Sequence, residues 1–350
     1  MLARVPARAD VASRVERLCA GSLPAKALRE RLLGELRPVV PFDAHIFGLT
    51  DPVTRVGTSP LADVPGLAWP RLPDLIRWRY LTRTLRWSDL LDSGVPATSL
   101  MRATGDDPSQ SLLWLHAQRE LGVTDSLVAA FGDRYGCWGF LDLSRYGGRF
   151  SDAEIAFVAS LTSTITGGLR RAVSRTFEQT DAGLLPVGPA VVMLGPDLQV
   201  RGQTAAAAHA LLTLNPPDED IAPIPAAAYN CAAALVALES GVRVGPAVSR
   251  VHLGGPRWVT VKADRIAQDI AVSIEPSTPD ERLDVFARSF GLSARETEVL
   301  GLVGAGLDTR EIAQRLVVSE HTATDHVKAI LAKTGTRNRQ VLLAKASGAG

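Results

Sequence analysis

The chain has 350 residues, 46% hydrophobic and 21% charged, with a formal net charge of +1; that is ordinary for a folded soluble protein and long enough for two or three domains with cores of their own. The N-terminus carries Asp10 and Glu16 with no uninterrupted apolar block behind it, and the most apolar stretches, 184–194 and 226–238, are short and broken by Pro, Gly or Asn, so neither a signal peptide nor a membrane span is expected. Charge is nearly balanced along the chain, at +3 over 1–180, −3 over 181–278 and +1 over 279–350, and by itself points to no partner.

In chain order, 14–36 reads as an amphipathic helix. Segments 44–56 and 126–144 are apolar and aromatic, punctuated by glycine, and read as strands. Between them 73–86 is expected to be helical, with Leu75, Trp78, Leu81 or Thr82, and Leu85 along one stripe. Ser151-Asp-Ala-Glu154 is a capping box. It opens a long helix with Ile155, Val158, Thr162, Ile165, Leu169 and Val173 stacked on one face. Strands closed by such a helix make 1–178 an α+β domain. A second α+β unit is expected over 184–276, with strands at 190–194, 198–201, 248–253, 257–263 and 270–275 and a helix at 204–214. Linkers are expected near 178–185 and 276–279.

The C-terminal segment, 279–350, repeats helix-start signals. Thr278-Pro-Asp-Glu281, Ser293-Ala-Arg-Glu296 and Asp308-Thr-Arg-Glu311 are capping boxes, Ser319 and Asn338 are further N-caps, and Gly291, Gly304 or Gly306, and Gly335 supply stops. The segment is expected to be an all-α, four-helix bundle. In the helix after Ser319, residues Ala323, Val327, Ile330, Leu331 and Thr334 share one face, while His321, Thr324, Asp325, Lys328 and Ala332 share the other. The preceding helix is only Val317-Val318-Ser319 away. Two helices joined by so short a turn, the second exposing polar side chains near its start, can enter the major groove. There Thr324 could contact either base type, Asp325 could accept from a cytosine amino group, and Lys328 could donate to guanine. Thr309, Arg310, Ser319, Thr322 and Lys333 sit at helix starts or flanks, where phosphate contacts position a protein.

These residues carry a resemblance. Leu292-Ser-Ala-Arg-Glu-Thr-Glu-Val-Leu300, Ala305-Gly-Leu-Asp-Thr-Arg-Glu-Ile-Ala313, Ser319-Glu-His-Thr322, His326-Val-Lys-Ala-Ile330, Lys333 and Gly335-Thr-Arg-Asn-Arg339 together resemble the LuxR-type DNA-binding domain over roughly 292–344. The resemblance implies double-stranded DNA as partner, base contacts from Thr324, Asp325 and Lys328, backbone contacts that include Arg339, and pairing as a homodimer on an inverted repeat. The family usually carries a basic residue where this chain has Thr324, so a modest salt dependence of binding is expected. More weakly, 139–155 resembles the end of a GAF domain and 186–276 a PAS-type domain, which implies sensor domains for a small-molecule ligand. The expected architecture is therefore multidomain: GAF-like 1–178, PAS-like 184–276, and a helix-turn-helix domain at 279–350. The competing reading is a ligand-binding or protein-docking adaptor whose helical C-terminal domain serves dimerisation.

Other signals lead elsewhere. Gly304-Ala-Gly306 has no preceding strand and no third glycine, so it is a helix terminus and no dinucleotide loop. No P-loop, receiver-type acidic pair, G-x-S-x-G or H-E-x-x-H is present, so no catalytic residue, enzyme activity or cofactor is expected. His45, His116, His209 and His252 are scattered, and His321 and His326 lie about 140° apart on a helix, so no metal site is expected. Cys19, Cys137 and Cys231 form no C-x-x-C pair, which suits a reducing cytoplasm. The arginines at 71, 77, 79, 83 and 86 read as a solvated basic helix face.

Overall fold

A computed structural model describes residues 7–178, 188–214, 226–255 and 257–348; the linker expected at 178–185 lies outside them from 179 onward. The chain folds into two compact units. One comprises the described residues of 1–169, 185–251 and 260–275, the other those of 170–184, 252–259 and 276–350.

In the first unit the expected helix at 14–36 is two, α1 (Arg8–Ala20) and α2 (Ala25–Leu36). Gly21 and Pro24 divide them, because proline has no N–H with which to continue a helix. Five strands follow: β1 (Ala44–Thr50), β2 (Gly57–Asp63), β3 (Ala97–Ser99), β4 (Asp125–Asp133) and β5 (Gly136–Arg145). They pair antiparallel in the order β2-β1-β5-β4-β3. The strand expected over 44–56 is cut short by a turn. The Asp51 carboxylate accepts from the N–H groups of Val53 (2.8 Å) and Thr54 (3.0 Å), a local bond that competes with the ladder. The stretch 126–144 is a hairpin that reverses at Arg134-Tyr135. Gly136 is needed there, since a Cβ would lie 2.4 Å from the Pro52 carbonyl oxygen.

The register sets two unlike faces. Phe47 pairs with Leu141, Leu127 with Leu143 and Phe131 with Gly139, so this face is apolar. It is the face of the long helix α6 (Asp152–Arg175), whose Leu169 lies against Gly139. The Ser151 box that opens α6 is formed in both directions: Ser151 N–H donates to Glu154 Oε2 (2.8 Å) and Glu154 N–H to Ser151 Oγ (3.3 Å). The opposite face carries Ser126, Phe140, Asp142 and Ser144, all buried. It lies under α3 (Leu72–Leu81) and a π-helical turn at Trp114–Gln118. The helix expected at 73–86 stops at Leu81 because Thr82 is extended; a separate α4 (Trp87–Ser93) and a short α5 (Leu100–Thr104) follow.

The arginines of this region do not form the solvated face expected of them. Arg79 is buried on Asp142 (2.7 Å), Arg86 is buried and paired with Asp89 (2.7 Å), and Arg71 reaches Asp74 (3.2 Å) and Glu120 (3.1 Å). Of the five, Arg71 and Arg83 are exposed and Arg77 is half-buried, so only part of the expected face meets solvent. Period-based reading sees charge but not which acid folds back onto it.

The second sheet contains β6 (Ala190–Leu194), β7 (Val200–Gln203), β8 (Val248–His252), β9 (Trp258–Ile266) and β10 (Asp269–Pro276). Its order, β7-β6-β10-β9-β8, repeats that of the first sheet strand for strand. Helices α7 (Ala205–Leu214) and α8 (Ala226–Glu239) accompany it. In α8, Ala226, Ala227, Ala228, Cys231, Ala232, Ala233, Ala234 and Ala237 are all buried. A helix buried on every side has no polar stripe, so periodicity cannot announce it. It packs on α3 and β2, where Gly57 leaves room for Asn230: a Cβ would sit 2.8 Å from Asn230 Oδ1. Beside this contact Arg250 of β8 reaches Asp51 through Nε (2.7 Å) and Nη2 (2.9 Å), and the pair is buried.

The second unit holds five C-terminal helices, one more than expected: α9 (Pro279–Ser289), α10 (Ala294–Gly304), α11 (Thr309–Leu316), α12 (Glu320–Thr334) and α13 (Arg339–Ser347). All three expected capping boxes are present, as are the Ser319 and Asn338 caps. Each of the five begins at one of the expected helix starts, so the expected count of four is one short of its own signals; the first, α9, is opened by the Thr278 box. It packs on α13, and buried Arg282 donates through Nε to the Ala346 carbonyl (2.9 Å). Phe177 stacks on Trp258 (5.2 Å, 18°) and meets Phe286 edge-on (5.2 Å, 87°), which adds an aromatic cluster to this core.

Candidate nucleic-acid interface

Helix α12 is fixed at both ends. Ser319 Oγ accepts from Thr322 N–H (3.1 Å), and Gly335 closes the helix at φ 62°. Its inner face places Ala323, Val327, Ile330 and Thr334 in the core, where α10 and α11 cover them. The polar member is satisfied locally: Thr334 Oγ1 lies 2.8 Å from the Ile330 carbonyl and 2.8 Å from Thr336 Oγ1. The turn from α11 runs through Val317, at φ 54° and 90% exposed. A β-branched residue is strained there. Its N–H and that of Val318 close the helix on the carbonyls of Gln314 (3.3 Å) and Ala313 (3.0 Å).

The outer face of α12 is open. Lys328 is 69% exposed at its side chain, with Nζ 3.9 Å from Asp325 Oδ1; Asp325 is 55% exposed and lies 3.4 Å from His321 Nε2. At that exposure neither contact holds a side chain firmly. Thr324 is half-buried, and its hydroxyl donates to the Glu320 carbonyl (2.8 Å). It can still accept from a base amino group, whereas donating requires a rotamer change. The three residues expected to read bases therefore lie together on one accessible face, near the start of a capped helix.

The residues expected at phosphates separate into two groups. Ser319, Thr322 and Arg310 are exposed. Lys333 instead places Nζ 2.6 Å from Glu296 Oε2, a carboxylate only 8% exposed that also accepts from Ser293 N–H (2.6 Å). Arg339 donates through Nη2 to Thr309 Oγ1 (2.7 Å) and through Nη1 to the Leu307 carbonyl (3.3 Å). Lys333 fastens α12 to α10, and Arg339 fastens α13 to the start of α11. Arg315 and Arg337 are exposed cations that sequence reasoning passed over. Arg315 stands in the last turn of α11, four residues before the Ser319 cap, and that spacing was the available signal.

Glu296 carries a testable consequence. Burial pushes its carboxyl up, but the bonds from Lys333 and Ser293 prevail and hold its pKa below the ordinary glutamate value. A lowered pKa contributes stability above the unfolded value of about 4.3, which is lost as pH falls through the folded one. Glu296→Ala is expected to cost the C-terminal unit about 2–3 kcal/mol at pH 7, from the lost cap and the stranded Lys333. The difference from wild type should shrink below about pH 4. Urea unfolding at the two pH values checks both.

Residues 291–346 match the model for the family described as bacterial regulatory proteins, luxR family. The C-terminal segment is thus a luxR-family helix-turn-helix domain. The chain is 40% identical over 65 residues to the transcriptional regulatory protein LnrK of Bacillus subtilis (strain 168), which is 19% of this chain and 26% of LnrK. The chain thus spans about a quarter of that relative's length. Among solved structures it is similar to SdiA in complex with octanoyl-rac-glycerol, at 13% identity and TM-score 0.34 over 98% of this chain and 94% of that one. A second match is Escherichia coli SdiA, at 14% identity and TM-score 0.35 over 97% and 96%. Similarity this low bears on neither fold nor ligand. Among the described residues no helix is long and apolar enough to cross a membrane.

Proposed function

We propose that this protein is a one-component transcription regulator that binds double-stranded DNA through α12 and is governed by its two sheet domains. The observation that carries this reading is the open face of Thr324, Asp325 and Lys328 on a helix whose opposite face is locked in the core. In the groove, Lys328 donates to guanine, Asp325 accepts from cytosine and Thr324 accepts from an exocyclic amine. Arg310, Arg315, Ser319, Thr322 and the first free N–H groups of α12 face phosphates. Thr309, Lys333 and Arg339 hold the frame. The chain acts as a homodimer on an inverted repeat, since two-fold proteins read two-fold sites.

The first sheet with α6 is read as a GAF-like sensor over 1–178, and the second as a PAS-like domain over 184–276. The shared strand order supports treating them as a matched pair of sensor-type domains. A ligand can shift DNA binding only by preferring one arrangement of the chain over another.

The test begins with selection of a binding duplex from a random pool. Gel shifts then compare wild type with Lys328→Ala, which should weaken binding by about 1–3 kcal/mol, roughly 5- to 150-fold. Unchanged affinity removes Lys328 from the contacts. Failure of the full chain to select any duplex at low salt leaves the helical domain as a dimerisation module.

A further inference from the structure

We infer that Val317, in the turn between α11 and α12, is a specificity residue that reads the 5-methyl group of a thymine in the major groove. The inference rests on the DNA-binding reading above and extends it to a base contact outside α12.

Strain and exposure coincide at this residue. Among the described residues of 279–350, the other left-handed backbone positions are Gly291, Gly306, Gly335 and Gly348, at φ between 62° and 86°. Each follows the end of a helix. Helix α11 alone stops on a residue with a Cβ, the β-branched Val317 at φ 54°, where glycine or asparagine would relieve the strain. Val317 is also 90% exposed, whereas the next most exposed large hydrophobic among the described residues, Trp69, is 56% exposed. A lone apolar side chain at a surface is ordinary. One kept there against its own backbone contributes nothing to folding, and strain of this kind gathers where a side chain is used.

The neighbours fix its direction. Leu316 is buried and Val318 packs on the same core, so the side chain between them turns outward. The Val317 N–H is engaged with the Gln314 carbonyl (3.3 Å). The isopropyl group is therefore what this position presents, not a donor for a phosphate. It stands two residues before the Ser319 cap, at the end of α12 that enters the groove. Arg315 and Ser319, both exposed, flank it; with these on phosphates, the isopropyl group lies at the groove edge. The apolar feature that bases offer there is the thymine methyl, which cytosine lacks.

The duplex selected by the full-length protein supplies the probe. Its thymines are replaced one at a time by deoxyuridine, which removes the methyl and leaves the pairing. Wild-type binding should weaken about fourfold at one position per half-site, the worth of one buried methyl group. Val317→Asn should bind the thymine duplex about fourfold more weakly and lose nothing further with uracil at that position. Its salt dependence should match wild type, because no cation is removed. The same variant should raise the urea midpoint of the C-terminal unit by about 0.5 M, since asparagine tolerates the left-handed conformation. Uracil tolerated at every position, a uracil penalty that persists in Val317→Asn, or a midpoint at or below that of wild type overturns the proposal. Lys328→Ala on the same duplexes keeps the two readings apart. Loss with Lys328→Ala but not with Val317→Asn removes this inference alone, whereas a wild-type chain that selects no duplex removes both.

Discussion

Replacing Asp51 with alanine should destabilise the sheet-bearing unit by about 3–5 kcal/mol, the effect of removing one partner of a buried ion pair. Asp51 is fully buried, and its two oxygens accept from Val53 N–H, Thr54 N–H, Arg250 N–H (2.9 Å), Arg250 Nε (2.7 Å) and Arg250 Nη2 (2.9 Å). One carboxylate thus shapes the turn after β1 and clasps a strand of the other sheet, 199 residues away. Burial pushes its carboxyl up, but the Arg250 hydrogen bonds and charge outweigh this and leave the pKa below the ordinary aspartate value. The linkage therefore has a definite sign: Asp51 stabilises above the unfolded pKa of about 3.9, and that contribution is lost as pH falls through the folded one. Urea unfolding at pH 7 should show the full deficit for Asp51→Ala and a smaller one for Asp51→Asn, which keeps an acceptor. A loss under 1 kcal/mol for alanine would mean the clasp carries little stability.

Ile330→Ala should cost the C-terminal unit about 2–5 kcal/mol, the range for emptying a fully buried aliphatic site. Ile330 is fully buried in the core that α12 shares with Ala313, Leu316, Leu300 and Val303. Because the loss falls on docking and not on the reading face, α12 should fray and DNA binding weaken for every sequence alike. Lys328→Ala, by contrast, should leave the fold intact and alter preference at particular bases. Hydrogen exchange of peptides spanning 320–334 reads the first effect directly. Protection unchanged in Ile330→Ala would contradict the packing described here.

The C-terminal domain was legible because its signals are local. A serine, threonine or aspartate with glutamate three residues on satisfies two helix donors from within four residues, and all three such boxes formed as read. The polar face of α12 followed from the same periodicity. What stayed hidden depended on distant partners. Nothing near Lys333 announces Glu296, thirty-seven residues upstream, and nothing near Arg79 announces Asp142, sixty-three residues downstream. Asp51 is reached from 199 residues away. Charge in sequence was therefore read as surface where tertiary pairing had buried it. Short elements such as β3 and the π-helical turn were also missed, because three to five residues are too few to show a period. Helix α8 had no polar side to show one.

Cross-linking from position 328 tests the central claim most directly. The native cysteines at 19, 137 and 231 are all buried, so a Lys328→Cys substitution provides the reactive surface thiol. With a duplex bearing thiol-tethered bases in the major groove of a selected site, a disulfide should form from position 328 at one or two base positions per half-site. None should form from Gln340→Cys, an exposed position of α13. A bound complex that cross-links from position 340 and never from position 328 would contradict the account.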